Sequence, residues 1–299
     1  MNHTANGLIA VTGATGEVGG RVARRLASRG LAQRLIIRDP KRMEAIPGAD
    51  VRAIAGYQAG TEVRRALRGV GTLLLIPTAE GEGRVGDHRI TVEAAVAAGV
   101  RHIVYLSFIG ASPDCTFTLA RDHWATGQDI RRIAPAYTLL RMNMYLDFVP
   151  KLAGPDGVIS GPAGDGRVSA VLRDDLADVA VAVLAEPDDH IGQTYDVTGG
   201  ESFTLAEAAG VMSRASGKQI VFHDETLEEA YQARARYGAP RWEVEGWVTS
   251  YTAIAAGELA AVSDTVRRLT GHPPVTLAEH IKARPESLGH VSAGLVRTG

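Results

Sequence analysis

Near the amino end, Thr12-Gly13-Ala14-Thr15-Gly16-Glu17-Val18-Gly19-Gly20 constrains the fold more than any other stretch of the chain. It follows an apolar run, Leu8-Ile9-Ala10-Val11, of the kind that forms a strand buried on both faces. It leads into Val18, Val22, Ala23 and Leu26 at helical spacing, with Arg21, Arg24, Arg25 and Arg29 on the other face. Gly13, Gly16 and Gly19 therefore stand at i, i+3 and i+6 between a strand and an amphipathic helix. That spacing suits a tight turn whose backbone N–H groups approach a phosphate, with the positive end of the helix dipole behind them. A bare glycine triplet also serves ordinary turns; its place between strand and helix makes it a dinucleotide signal.

The following segments supply what such a loop needs. Arg34-Leu35-Ile36-Ile37 reads as a second strand, closed by Arg38-Asp39-Pro40-Lys41. The end of this strand, ~20 residues past the glycine loop, is where a dinucleotide fold meets the adenosine ribose. Arg38 there suggests a charge-assisted contact to the extra phosphate of NADP, and Lys41 adds a second positive charge. NADP(H) is the preferred cofactor; Asp39 keeps NAD(H) open if the acid faces the ribose. Val51 to Ile54 is a short third strand ending in Gly56-Tyr57-Gln58, near where an adenine would lie. Thr72 to Ile76 is a fourth, and Pro77 marks its end. A polar loop from Thr78 to Gly86, a helix from His88 to Ala98, and strands over Arg101–Ser107 and Tyr137–Arg141 follow. This alternation predicts an α/β fold with a Rossmann-like, doubly wound parallel sheet. Its ligands belong at the carboxyl ends of the strands, where Gly13, Arg38, Pro77, Ser107 and Asn143 converge.

From about Val158 the pattern changes to a turn-rich loop, a helix opened by Asp174-Asp175, a seventh strand at Thr194–Val197 and a helix capped by Thr204 with Glu207. The expected division is a Rossmann domain over 1–157, joined by a late strand within 190–198, and a smaller, mostly helical substrate-binding or lid region over 158–284. Residues 285–299 have no usable periodicity and are expected as a flexible tail. With 299 residues, 45% of them hydrophobic, the chain can bury a substantial core. A net charge of -2 and the lack of a basic block argue against a nucleic-acid partner. No apolar run reaches the ~20 residues of a membrane span. Cys115 is the one cysteine, so no internal disulfide forms, and no metal-ligand spacing is present. A cytoplasmic monomer or homodimer is expected.

Thr12-Gly13-Ala14-Thr15-Gly16-Glu17-Val18-Gly19, Ile37-Arg38-Asp39-Pro40, Leu75-Ile76-Pro77 and His102-Ile103-Val104-Tyr105-Leu106-Ser107 resemble the NmrA-like group of atypical short-chain dehydrogenase/reductases. Within the group the likeness is to the type 2 NAD(P)H-quinone oxidoreductase and triphenylmethane reductase branches. Tyr137 to Tyr145 and Gly192 to Gly200 extend it through most of the chain. The resemblance implies that Gly13, Ala14, Thr15, Gly16, Glu17 and Val18 hold the pyrophosphate, and that Arg38 and Lys41 meet the NADP phosphate. It places Gly56, Tyr57 and Gln58 near the adenine, although Gln58 replaces the acid expected there. Ile76, Pro77 and Thr78 would lie along the nicotinamide ribose, with Ser107 and Asn143 near the nicotinamide ring.

Typical short-chain dehydrogenases use Tyr-x-x-x-Lys, the lysine lowering the tyrosine pKa so that it can pass a proton to a carbonyl oxygen. Here His123 stands at the tyrosine position and Gly127 at the lysine position. Without the dyad, easy acceptors are favoured. Hydride transfer to a quinone gives a delocalised anion that water can protonate, and transfer to a delocalised carbocation needs no proton. Either needs mainly orientation, with the acceptor ~3–3.5 Å from the nicotinamide carbon in a dry pocket. The expected function is therefore an NAD(P)H-dependent oxidoreductase acting on a quinone-like or polycyclic aromatic substrate, in detoxification or natural-product tailoring. His123 is the candidate acid and Ser107 the candidate donor to a developing oxyanion. The alternative is a non-enzymatic, NmrA-like NADP-binding redox sensor.

Overall fold

The computed structural model describes residues 7–292. Through the first half, strands and helices alternate: β1 (Leu8–Thr12), α1 (Glu17–Ser28), β2 (Gln33–Ile37), β3 (Asp50–Ala53), α2 (Gly60–Ala66), β4 (Val70–Leu75), α3 (Arg84–Ala97), β5 (His102–Phe108), α4 (Thr118–Ile133) and β6 (Ala136–Met142). The second half carries β7 (Val158–Gly161), β8 (Arg167–Val168), α5 (Arg173–Ala185), β9 (Thr194–Val197), β10 (Phe203–Thr204), α6 (Leu205–Ser216) and β11 (Val221–Asp224). Helices α7 (Leu227–Ala235), α8 (Arg241–Ala255), α9 (Thr265–Thr270) and α10 (Leu277–Ala283) complete it.

Seven strands form one parallel sheet in the order β3-β2-β1-β4-β5-β6-β9. The strands are apolar toward both faces because helices cover both. On one side Val22, Ala23 and Leu26 of α1 and Leu176, Val179 and Val183 of α5 pack with Val11, Leu35, Leu74 and Val104. On the other, α2, α3 and α4 bring Val63, Val92 and Ile130 against Ile36, Leu73, Ile103 and Tyr105. Arg25 of α1 ties the first pair of helices together, reaching Asp174 and Asp178 of α5 at 2.7 Å each. β9 closes the sheet against β6, where Arg141 holds Asp196 through two hydrogen bonds of 2.5 and 2.8 Å.

The order of switching at β1 and β4 opens a crevice at the carboxyl ends of the strands, and the second half of the chain roofs it. A third apolar cluster joins Phe108 and Ala120 to Leu146, Leu205, Ile254 and Leu277 across that junction. Gly246 of α8 lies so close to α4 that a Cβ there would stand 2.6 Å from the Leu119 side chain. Besides its helices this half contains two small two-stranded sheets, β8 with β10 and β7 with β11.

Two expectations need correction. Helix α3 begins at Arg84 inside the segment expected as loop, because Gly81 and Gly83, which read as breakers, supply the carbonyls for its first turn. Residues 285–292 do not behave as a loose tail. Leu288 and Val291 are 2% and 1% exposed, and the Lys218 ammonium donates to both of their carbonyls. The remainder of that expected tail, 293–299, lies outside the described residues. Among the described residues no helix is long and apolar enough to cross a membrane.

Candidate active site

The glycine loop is held open by its own packing. Gly13 has φ +63°, a conformation that glycine adopts without strain. A Cβ on Gly19 would stand 2.3 Å from the Gly13 carbonyl oxygen, so only glycine lets α1 approach the turn this closely. Gly16 caps α1 without a side-chain hydrogen bond, which leaves the first-turn N–H groups of that helix to a ligand. Ala14 and Val18 are buried beneath the loop, and Thr15, Gly16 and Glu17 lie on its outer side. The Glu17 carboxylate turns back to Arg21, which lowers its pKa. Thr12 anchors the turn to β4, accepting from the Ile76 N–H at 2.8 Å.

Tyr57, expected beside the adenine, is buried in the core, and its hydroxyl accepts the Gly13 N–H at 3.3 Å. It props the loop from below, and burial raises its pKa. The Gln58 side-chain amide folds back over Gly56. Arg38 and Lys41 are exposed, and among the described residues neither side chain has an ion pair. Asp39 Oδ1 accepts the Lys41 N–H at 3.0 Å.

A cavity of about 390 Å³ lies beyond the loop, at the ends of β4, β5 and β6. Ile76, Leu106, Phe108 and Met142 form its sheet side, Leu119 and His123 come from α4, and Trp247 and Ile254 of α8 close it. Pro77 and Tyr145 also line it, and the Arg173 guanidinium sits 3.8 Å from the centre of the Tyr145 ring on its way to Asp147. Ser107 is 3% exposed and is not among the lining residues, because its strand neighbours Leu106 and Phe108 occupy that side. Thr78 is not among them either. Asn143 borders the cavity, but its polar atoms are committed: Nδ2 donates to Ser169 Oγ and the Leu259 carbonyl, and Oδ1 accepts the Met144 N–H.

His123 ends a row of buried polar side chains that begins at one backbone donor. The Thr78 N–H donates to His88 Nε2 at 3.0 Å, so the neutral ring of His88 carries its proton on Nδ1. That N–H donates to Thr126 Oγ1 at 2.9 Å, and the Thr126 hydroxyl lies near that of Tyr105 and lowers its pKa slightly against the effect of burial. The Tyr105 hydroxyl is hydrogen-bonded to His123 Nδ1 at 3.1 Å. The backbone of Leu106 is the other partner of the His123 ring. Burial, helped by the charge of Arg84, pushes His88 down to about 3 and holds His123 well below the usual histidine range. Both rings are therefore neutral, and His123 has no imidazolium proton to give. Gly127, one turn along α4, faces Leu139 of the sheet, so a side chain at the old lysine position would not enter the cavity. None of the lysines lines it.

Arg84 is the residue that sequence reasoning missed. It borders the cavity with 6% of its side chain exposed, and its Nη1 stands 3.8 Å from Asp122 Oδ2. Burial raises the pKa of Asp122 and of the neighbouring Glu80. In the sequence it was one basic residue in a Gly/Glu-rich stretch, with no signal beyond its position after the fourth strand. Elsewhere, Asp175, Asp178 and His272 bring three possible ligand atoms together, but Asp178 is paired with Arg25 and Asp175 accepts the Val275 N–H.

Residues 13–187 match the family described as NAD(P)H-binding. The chain belongs to that NAD(P)H-binding family. This member is similar along almost its whole length to quinone oxidoreductase 2 of Escherichia coli strain K12, at 34% identity over 282 residues, 92% of this chain and 97% of that protein. Among solved structures, the E. coli NADPH-dependent quinone oxidoreductase complexed with NADPH superposes with a TM-score of 0.85 at 32% identity, covering 92% of this chain and 99% of that one. The Citrobacter sp. triphenylmethane reductase complexed with NADP(H) gives 0.82 at 33% identity, with coverage of 92% and 99%. NmrA, a negative transcriptional regulator solved with NAD, shares the fold at 16% identity and a TM-score of 0.73. This member of the family is an NAD(P)H-dependent oxidoreductase of the quinone-reductase-like kind.

Proposed function

We propose that the protein transfers hydride from NADPH to a flat, apolar acceptor, quinone-like or polycyclic aromatic, seated in the cavity beside the glycine loop. The observation that carries this reading is the position of Ile76. Its Cγ2 would lie 3.4 Å from a Cβ on Gly13, and the same side chain lines the cavity. One side chain thus separates the dinucleotide loop from a space suited to an aromatic ring.

The loop fits a dinucleotide: its helix is uncapped, and a Cβ on Gly19 would fill the turn. In this reading Gly13, Ala14, Thr15, Gly16, Glu17 and Val18 surround the pyrophosphate, and Arg38 with Lys41 meets the NADP phosphate. The exposed Arg38 and Lys41, neither of them ion-paired among the described residues, favour NADP(H) over NAD(H). Gly56 and Gln58 flank the adenine, with Tyr57 as a support beneath the loop. Ile76, Pro77 and Thr78 lead to the nicotinamide end. When bound, NADPH supplies a hydride to the acceptor. Phe108, Met142 and Trp247 exclude water and hold the acceptor flat, which is the main requirement for such a transfer. His123 acts as a neutral polar wall, fixed by Tyr105, and proton delivery is left to water. This reading gives Ser107 no donor role, because it is not among the residues that line the cavity.

The names of the relatives, quinone reductase and triphenylmethane reductase, support an acceptor of this size and flatness. Purified protein mixed with NADPH and a panel of quinones is expected to consume the reduced nicotinamide absorbance. Tight NADP binding without consumption by any acceptor would sink the enzymatic reading and favour a dinucleotide sensor, for which the cavity has no use.

A further inference from the structure

Arg84 is buried without the partners that buried arginines have elsewhere in this protein. Arg34, Arg173 and Arg234, with side chains 13%, 16% and 12% exposed, each hold a carboxylate at 2.7 to 2.8 Å. Arg84 is 6% exposed, and its Nε and Nη1 have no hydrogen-bond partner. The nearest carboxylate oxygen, on Asp122, is 3.8 Å away, beyond hydrogen-bond reach. A guanidinium keeps its charge at any working pH, and a buried charge with unmet donors is a strongly unfavourable arrangement unless something pairs with it. Nε and Nη1 are enclosed, while Arg84 itself lines the cavity, whose walls are mostly apolar apart from Arg84, Glu80, Asn143 and the neutral His123.

We propose that Arg84 anchors a negatively charged oxygen of the acceptor, so that the cavity selects molecules that bear or acquire an oxyanion and rejects cationic ones. The proposal rests on the hydride-transfer reading above. When a conjugated carbonyl acceptor takes the hydride, a C–H bond of the dihydronicotinamide breaks and a new bond to that hydrogen forms on the acceptor. The electron pair displaced from the acceptor's π system ends on its oxygen, the dinucleotide is left oxidised, and a proton from water later neutralises the oxyanion. A fixed cation at the cavity wall favours that charge where it develops, without any reorganisation of the protein. A cationic triarylmethane dye meets the same charge as repulsion.

The test uses the full-length protein and a hydroxynaphthoquinone, whose acidic enol is an anion at neutral pH and whose ionisation is visible by absorbance. Wild type is expected to bind the enolate more tightly than neutral naphthoquinone and to lower the pKa of the bound enol. Arg84→Met keeps much of the volume and removes the charge. It should weaken enolate binding by about tenfold or more, abolish the ionisation shift, and leave neutral naphthoquinone within about threefold. A cationic triarylmethane dye should bind the variant better than wild type. Enolate affinity and ionisation that are the same in both proteins, or no enolate binding to wild type, would overturn the anchor, even if neutral quinones are still reduced. An enolate held through Arg84 with no NADPH consumed by any acceptor would support the anchor and sink the hydride-transfer reading instead.

Discussion

The Tyr105 hydroxyl stands 3.1 Å from Nδ1 of His123, and that contact holds the imidazole ring against the sheet. Tyr105→Phe leaves the buried His123 Nδ1 without its partner, so folding stability should fall by about 1–3 kcal/mol. Urea unfolding measures this; an unchanged midpoint would show that the chain is not held in the folded protein. His123→Gln should slow quinone reduction by well under the ~100-fold that loss of a general acid produces. A larger drop would return proton transfer to His123.

Stability should depend on acidity through the buried histidines. The folded pKa of His88 is about 3, against an ordinary value of 6.5, and that of His123 is also lowered. Above 6.5 both folded and unfolded chains keep these rings neutral, and they add no pH dependence. Below it the unfolded chain takes up protons that the folded one refuses, so each ring lowers stability by about 1.4 kcal/mol per pH unit as the pH falls. For His88 the decline continues until about 3. His88→Gln can still accept from Thr78 and donate to Thr126, and its unfolding free energy should fall less steeply between about pH 6 and about pH 4. Parallel slopes for the two proteins would contradict the neutral ring.

Cofactor choice should follow Arg38. Its exposed, unpaired guanidinium gives Arg38→Ala an expected loss of about 1.5–3 kcal/mol in NADP binding, with NAD little affected. Titration of nucleotide fluorescence measures both. Equal losses would place Arg38 away from the distinguishing phosphate.

Two glycines should respond oppositely to the same substitution. Gly19→Ala drives a Cβ to 2.3 Å from a backbone oxygen, so it should destabilise the fold by about 1–3 kcal/mol and abolish dinucleotide binding. At Gly127 the nearest atom, Leu139 Cδ1, would be at 3.6 Å, an ordinary contact. Gly127→Ala should stabilise α4 by about 0.5–1 kcal/mol and leave nucleotide binding unchanged. Thermal melts with and without NADP separate the two outcomes.

What could be read from the sequence was local. The glycine spacing, the apolar runs of β1, β4 and β5 and the Thr204–Glu207 capping box are each written in a few neighbouring residues, and the structure contains them. Tyr57 and Ser107 were harder because their meaning depends on which side of a strand end they occupy, and a period of two makes a one-residue difference decisive. The chain from Thr78 through His88, Thr126 and Tyr105 to His123 spans β5, two helices and a loop, so no single window of sequence contains it. Arg84 was illegible for a sharper reason. An arginine among glycines looks solvated, and its burial without a hydrogen-bonding partner exists only once α3 and α4 are side by side.

Closure of the sheet by β9 has a consequence for how the protein is made. A ribosome releases β6 well before β9, with the two small sheets' first strands and α5 emerging in between. Until Asp196 arrives to meet Arg141, the nascent chain displays an unpaired, largely apolar strand edge to its neighbours. Synthesis that stalls after residue 187, where the family match ends, would leave that edge permanently open. The nucleotide loop comes first off the ribosome, yet the sheet that carries it is finished only after β9, at Val197 of 299 residues, has followed.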